Sequence, residues 1–229
     1  VDISLFPYPT TDSSGAFVAN LFVPTMSGRD VTVSATAREG VAGASFKVLP
    51  TTLEMTPSAG PPNTTLTIKG WNFPASSDLG SLSIGGLDVL ADAESLMVGF
   101  GLGTTARGIF EVEVKVPEIP SGDAEVVAEV AGVSASSILT VPPLVFNLAP
   151  VEGRIFVRVT IGGSGFPAFT PVTAVTIGGV GVLGLIRYVT DADGAFELRA
   201  GVPAFYPGPV QVSITVGSIT ASSDFIVKP

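Results

Sequence analysis

The chain of 229 residues contains no cysteine and no histidine. Without a thiol or an imidazole there is no cysteine nucleophile, no histidine base, no Ser-His triad and no ordinary structural zinc site. Only carboxylate, hydroxyl and lysine chemistry remains. Asparagine is confined to Asn20, Asn63, Asn72 and Asn147, glutamine to Gln211, and there are three methionines. That scarcity is a thermophile tendency, although the charge enrichment that usually accompanies it is missing, charged residues being 14% of the chain. Both observations fit a secreted or cell-surface protein of a heat-loving microbe.

Positive charge is also scarce. Eleven Lys and Arg stand against twenty Asp and Glu, a formal net charge of −9. The long-range field therefore repels phosphate backbones and anionic lipid, which removes nucleic acid from the expected partners. A mean hydropathy of +0.56 raises the question of a membrane. The longest run without charge, Val159 to Ile186, exceeds the ~20 residues a spanning helix needs. It is interrupted by Gly162, Gly163, Gly165, Pro167, Pro171, Gly178, Gly179, Gly181 and Gly184, which break a helix into short strands and turns. No transmembrane segment is expected, and Val1-Asp2-Ile3-Ser4 has no signal-peptide pattern. An export signal or anchor is expected to lie outside this stretch.

What is present is internal repetition. Thr11, Thr104 and Thr190 each stand six residues before Phe17, Phe110 and Phe196, with Gly15, Gly108 and Gly194 in between. Further landmarks recur at equal distances: Pro24, Pro117 and Pro203, then Phe46, Leu139 and Phe225, then Pro50, Pro143 and Pro229. The front halves repeat only twice. Pro57, Gly60, Gly70, Phe73-Pro74 and Gly85-Gly86 return 93 residues later as Pro150, Gly153, Gly163, Phe166-Pro167 and Gly178-Gly179. The back-half offset is 86, so repeat two carries an insertion within Leu87 to Ile109.

Within a repeat the period is two. Phe110, Val112, Val114 and Val116 alternate with Glu111, Glu113 and Lys115, the pattern of a strand with one buried and one wet face. Strands separated by Gly, Pro, Ser and Asp, with no helical spacing, predict an all-β fold of tandem antiparallel β-sandwiches of about seven strands each. In repeat two the strands are expected near Leu53–Met55, Thr65–Trp71, Leu82–Ile84, Val89–Ala91, Ile109–Val116, Ala124–Val130 and Ser136–Val141. A further strand is expected over Phe17–Val23. The domains are read as 1–50, the second half of a repeat, then 51–143 and 144–229. Val1 aligns with Val180, so the first repeat lacks its front strands, which either precede Val1 in a longer parent or come from another molecule by strand addition. Short Pro-bearing junctions favour domains held stiffly in series.

Several constellations are candidates for function. Asp191-Ala192-Asp193-Gly194 places two carboxylates two apart beside a turn, so Asp191 and Asp193 are the calcium candidates. The competing reading is a plain hairpin turn, which the counterparts favour because repeat two has Thr105 and Arg107 there. No other cofactor is expected. Asn63-Thr64-Thr65 is the one glycosylation sequon, making Asn63 a candidate glycan site. Glu111, Glu113, Glu125 and Glu129 read as a solvated sheet face rather than acid/base pairs. Phe73 and Phe166 read as core plugs, leaving Trp71 as the freer candidate for a sugar contact. Val18 and Phe22, where sister strands carry charge, and Leu96, Met97 and Phe100 of the insertion are surplus apolar residues, candidates for an interface.

The pattern Met55-Thr56-Pro57-Ser58-Ala59-Gly60, then Leu66 to Phe73 with its Gly-x-x-Phe ending, then Leu82-Ser83-Ile84-Gly85-Gly86 resembles the IPT/TIG immunoglobulin-like domains. Repeat three matches it through Ala149-Pro150, Thr160 to Phe166 and Thr176 to Gly179. The resemblance covers Thr51 to Pro229 and implies an Ig-like sandwich. That family spans receptors, transcription factors, polysaccharide enzymes and microbial surface proteins, so it leaves function open. The Thr-Asp-x-x-Gly-x-Phe element departs from it and is common in other microbial Ig-like repeats, and the acidic balance argues against the DNA-binding branch. The expected function is structural and not enzymatic: a segment of an extracellular surface-layer or cell-envelope lattice or filament subunit of a thermophilic prokaryote that self-associates. The alternative is an Ig-like spacer or carbohydrate-binding module of a larger secreted enzyme or adhesin.

Overall fold

A computed structural model of the chain describes residues 9–21, 23, 26, 28–37, 40–99, 101–182, 184 and 188–229. It divides into two compact units, Val1–Leu49 and Pro50–Pro229. In the first, strands β1 (Arg29–Ala37) and β2 (Gly40–Val48) form an antiparallel hairpin with Arg29 opposite Val48 and Ala37 opposite Gly40.

The second unit contains two sandwiches. In one, β3 (Thr52–Thr56), β4 (Thr65–Trp71), β5 (Leu79–Ile84), β6 (Leu87–Asp88), β7 (Glu94–Ser95), β8 (Phe110–Lys115), β9 (Gly122–Val130) and β10 (Val133–Val141) form two sheets. Their orders are β3-β4-β8-β7 and β10-β9-β5-β6. In the other, the strands are β11 (Val145–Ala149), β12 (Glu152–Gly153), β13 (Arg158–Ser164), β14 (Val172–Ile177), β15 (Val180–Gly181), β16 (Phe196–Gly201), β17 (Gly208–Val216) and β18 (Ile219–Val227). These make sheets β11-β13-β16 and β12-β18-β17-β14-β15. Among the described residues all strand pairings are antiparallel except β12 with β18, where the first strand of the repeat switches sheets; the isolated bridge of Ala59 to Thr140 is its parallel counterpart in the first sandwich. No helix among the described residues is long and apolar enough to cross a membrane.

The alternation decides which face is inside. Phe110, Val112 and Val114 of β8 are buried while Glu111, Glu113 and Lys115 are not; Leu66 and Ile68 of the neighbouring β4 lie beside them, and the opposing sheet brings Leu82, Ile84, Val126 and Leu139 to the same core. The second core repeats this with Val159, Ile161, Leu198 and Ala200 against Val212, Ile214 and Phe225. Each large apolar side chain so buried contributes about 1.5–3 kcal/mol of transfer free energy. Phe73 and Phe166 are core residues, each in edge or tilted contact, at 5.3 Å between ring centroids, with Phe110 and Phe196 respectively.

The structure differs from the sequence reading at two elements. Val89–Ala91 is not a strand: a short 3-10 turn over Leu90–Asp92 carries the chain from β6 in one sheet to β7 in the other. Asp88 Oδ1 accepts from the Leu90 amide at 2.9 Å and sets this turn. Nor is there a strand among the described residues of 17–23. Its counterpart β8 is held by pairing with β4, a front-half strand, and no strand among the described residues pairs there. The uncovered hairpin has the matching consequence. Val33 and Phe46 are 43% and 44% exposed, whereas Val126 and Leu139, which occupy the same repeat positions in a complete sandwich, are fully buried.

Candidate functional site: the junction between the sandwiches

The repeated Thr and Gly landmarks build one local device in both sandwiches. Thr104 and Thr190 are the buried polar residues of the described chain. Thr190 Oγ1 donates to Pro167 O at 2.6 Å and accepts from the Thr170 amide at 2.9 Å. Thr104 Oγ1 donates to Pro74 O at 2.6 Å and accepts from the Ser77 amide at 3.0 Å. A buried hydroxyl with both roles filled costs little and fixes the loop that follows the core Phe. Thus the Phe-Pro loop of each repeat is pinned by a residue 30 or 23 positions later in sequence, just ahead of β8 or β16 respectively.

Asp191 follows that threonine and caps the turn. Its Oδ1 accepts from the amides of Asp193 at 3.0 Å and Ala195 at 2.8 Å. Thr105 Oγ1 makes the same pair of contacts to Arg107 and Ile109, as does Asp12 Oδ1 to Ser14 and Ala16. The Ser14 hydroxyl foremost, then the Ala16 and Ser14 amides, hold the Asp12 carboxyl below its ordinary value. The turn stabilisation it gives is complete above the unfolded carboxylate range and lost as pH falls through the lowered folded value. No cluster of three or more candidate metal ligands occurs among the described residues. The geometry makes Asp191 a turn acceptor, and two variants separate this from ligation. Asp191→Asn keeps the acceptor oxygen and is expected to stay within about 0.5 kcal/mol of the parent, whereas Asp191→Ala loses about 1–2 kcal/mol. Denaturation with and without calcium checks both; a calcium-dependent rise abolished by Asp191→Asn would assign the turn to the metal instead.

Asn63 lies at the junction of the two sandwiches. The turn Pro61-Pro62-Asn63 places Asn63 at φ 68°, a conformation asparagine tolerates better than most side chains. Its Nδ2 donates to Ala168 O at 2.7 Å, with Thr170 Oγ1 at 3.4 Å. The Ala168 amide in turn donates to Pro62 O at 2.8 Å. A second point of contact is the Ser218 hydroxyl, which donates to both oxygens of the Glu118 carboxylate at 2.6 and 2.5 Å. Gly165, at φ 77°, lets the linker residue Pro143 pass: a Cβ there would overlap the Pro143 carbonyl. So the Phe-Pro loop of the second sandwich, already pinned by Thr190, is seated on the first. Asn63 Nδ2 is also the atom a glycan would occupy, so glycosylation and this contact compete for one nitrogen.

The remaining candidates lie apart from this junction. Trp71 is on the outer face of β4, with the Lys69 ammonium 4.7 Å from its ring centroid and its indole N–H without a partner. Lys69 also pairs with Glu111 at 3.3 Å, a half-exposed pair worth little to stability. Glu125 and Glu129 are exposed on the outer face of β9. Val18 is 89% exposed and Leu96 46%, with Met97 half-buried beside it; Phe22 and Phe100 lie outside the described residues. The sequence reading missed Pro62, Ala168, Thr170, Glu118 and Ser218. For Pro62, Glu118 and Ser218 the signal lies in the places where the two complete repeats disagree, Pro62-Asn63 of one being Ile155-Phe156 of the other; Ala168 matches its counterpart Ala75 and carries no such signal.

The architecture defines a tandem Ig-like β-sandwich protein. The IPT/TIG domain model matches residues 50–141 and 143–226, and the chain belongs to the IPT/TIG domain family. Among solved structures it is similar to the I9–I11 tandem of titin, at TM-score 0.41 and 12% identity, covering 94% of this chain and 86% of that one. The D00–D0 domain of intimin matches at TM-score 0.32 and 13% identity, with 78% and 100% covered. The C-terminal domain of the Streptococcus agalactiae AgI/II polypeptide BspA matches at 0.26 and 12%, with 79% and 100% covered. No curated protein matches the chain.

Proposed function

We propose that the chain is a structural segment of an extracellular protein, a surface-layer or cell-envelope lattice subunit of a thermophilic prokaryote, whose Ig-like domains bear load in series. The junction carries this reading. Two sandwiches meet through a short Pro142-Pro143 linker, a reciprocal pair of hydrogen bonds between Pro62-Asn63 and Ala168, and the Glu118–Ser218 contact. Such a joint costs conformational freedom and is useful where domain orientation must be kept. Lateral packing is assigned to the exposed apolar residues Val18, Leu96 and Val98, the last 98% exposed. Light scattering of the purified chain is expected to show association that rises with concentration and weakens in Val18→Ser with Leu96→Ser. A chain monomeric at all concentrations, with and without calcium and across pH, overturns it.

Trp71 supports a second reading, a ligand-binding module of a larger secreted enzyme or adhesin, because its half-buried ring lies on an outer sheet face beside the Lys69 ammonium. Polysaccharide retention lost on Trp71→Ala would favour it over the lattice.

A further inference from the structure

The two complete repeats can be superposed by their offsets, and the end of the first that receives its neighbour has a counterpart at the end of the second. Asn63 corresponds to Phe156, Pro62 to Ile155, Glu118 to Ala204 and Pro120 to Tyr206. The backbones agree. Asn63 and Phe156 sit at φ 68° and 66°, and their amides donate to Val116 O and Val202 O, both at 2.8 Å. Ile119 and Phe205, likewise equivalent, close against Gly85 and Gly178. The chain also leaves both repeats at this end, Thr140 pairing beside Ala59-Gly60 and Lys228 donating to Gly153 O.

The surfaces differ in chemistry and in cover. Pro61 and Pro62 are buried and Asn63 half-buried under the next sandwich. At the equivalent end, Ile155 is 39%, Phe156 72% and Tyr206 93% exposed. A phenylalanine held in the left-handed region while its ring stands in solvent is doubly unfavourable in isolation, and backbone strain of this kind clusters at ligand and switch sites. Exposed aromatics grouped at one tip are the composition of an interface core.

We infer that the tip formed by Ile155, Phe156 and Tyr206 is a docking surface for one further Ig-like repeat following in series after Pro229, seated by the loop end that corresponds to Phe166–Thr170. The contact there is apolar, where the contact between the two sandwiches is hydrogen-bonded. Continuity with that first junction names the occupant: the same end of the preceding repeat, beside the same chain exit, already carries an Ig-like loop. The inference deepens the load-bearing reading but stands on the tip alone, independent of lateral association through Val18 and Leu96.

The test extends the full chain by a copy of residues 144–229 joined directly after Pro229, the equivalent of Pro143, with Phe156→Gly and Tyr206→Ser in the copy so that its own free tip is told apart by mass. Hydroxyl-radical labelling of Ile155, Phe156 and Tyr206 in the original repeat is expected to fall several-fold relative to the unextended chain. Because the chain has no cysteine, a pair of introduced cysteines in strands β17 and its appended copy takes spin labels uniquely. Their distance distribution is expected to be narrow, and to broaden when the original repeat also carries Phe156→Gly with Tyr206→Ser. Glycine suits that φ and neither ring is in the core, so the variant folds. Unchanged labelling with a broad distribution in both chains overturns the inference, as does concentration-dependent protection of the tip in the unextended chain, which would assign it to a second copy. Neither outcome depends on whether lateral association is found.

Discussion

Phe166→Ala is expected to destabilise the second sandwich by about 3–5 kcal/mol, a large share of a typical domain's roughly 5–15. The ring is fully buried and meets Phe196 edge-on at 5.3 Å. It also fills the space left by Gly163, where a Cβ would lie 2.7 Å from its Cε2. Neighbouring β-strands cannot close around the void without breaking ladder pairs, so most of the cavity persists. The loop that starts at Phe166 continues through Pro167 and Ala168 to the junction, so the Ala168–Pro62 hydrogen bond should loosen with it. Two domains preclude a single two-state fit, but the probes separate: Trp71 reports only the first sandwich and, in a Tyr8→Phe background, the tyrosine signal comes only from Tyr188 and Tyr206 of the second. The tyrosine transition should move to much lower denaturant while the tryptophan transition moves little. A loss under about 1 kcal/mol would mean that the core refills the site.

That Phe166 matters was legible in the sequence, because Phe73 and Phe166 hold one offset with the glycines around them. The same offsets carry through to strand ends. Each hairpin, β1 with β2, β9 with β10 and β17 with β18, begins and ends at corresponding residues and keeps one register. Period-two alternation and repetition are local signals, and a strand with both pairing neighbours obeys them. Phe17–Val23 has the alternation but lacks the neighbour, and among its described residues no strand forms. Val89–Ala91 reads as apolar and extended, yet Asp88 caps a turn there because the chain must change sheets. The junction was the least legible part. Asn63 looked like a glycan acceptor since its partners, Ala168 and Thr170, lie more than a hundred residues away. Only the disagreement between otherwise faithful repeats marked the position, and a single copy of the repeat would have hidden it.

Gly194→Ala is expected to cost at least about 3 kcal/mol, well beyond the roughly 1–2 kcal/mol that a left-handed backbone alone imposes on alanine. The two contributions can be separated inside one sandwich. Gly179, at φ 79°, has nothing within 4 Å of a would-be Cβ, so Gly179→Ala carries only the conformational penalty. Gly194, at φ 65°, packs its Cα on the backbone of Phe166, and a Cβ would overlap the Phe166 carbonyl oxygen. Backbone cannot rotate aside as a side chain can, and moving this stretch breaks the Gly165 amide bond to Asp193 O and strains the buried Thr190 contacts. Gly108 and Gly86 repeat the comparison in the first sandwich, Gly108 against Phe73 and Gly86 in open space at φ 82°. Chemical denaturation of the four variants should therefore pair Gly194 with Gly108 as severe and Gly179 with Gly86 as mild. Four similar losses would show that conformation, and not contact between the turn and the Phe-Pro loop, fixes these glycines. The pairing expected here would make that contact the reason the Thr-x-x-x-Gly-x-Phe element and the Gly-x-x-Phe element occur together in each complete repeat.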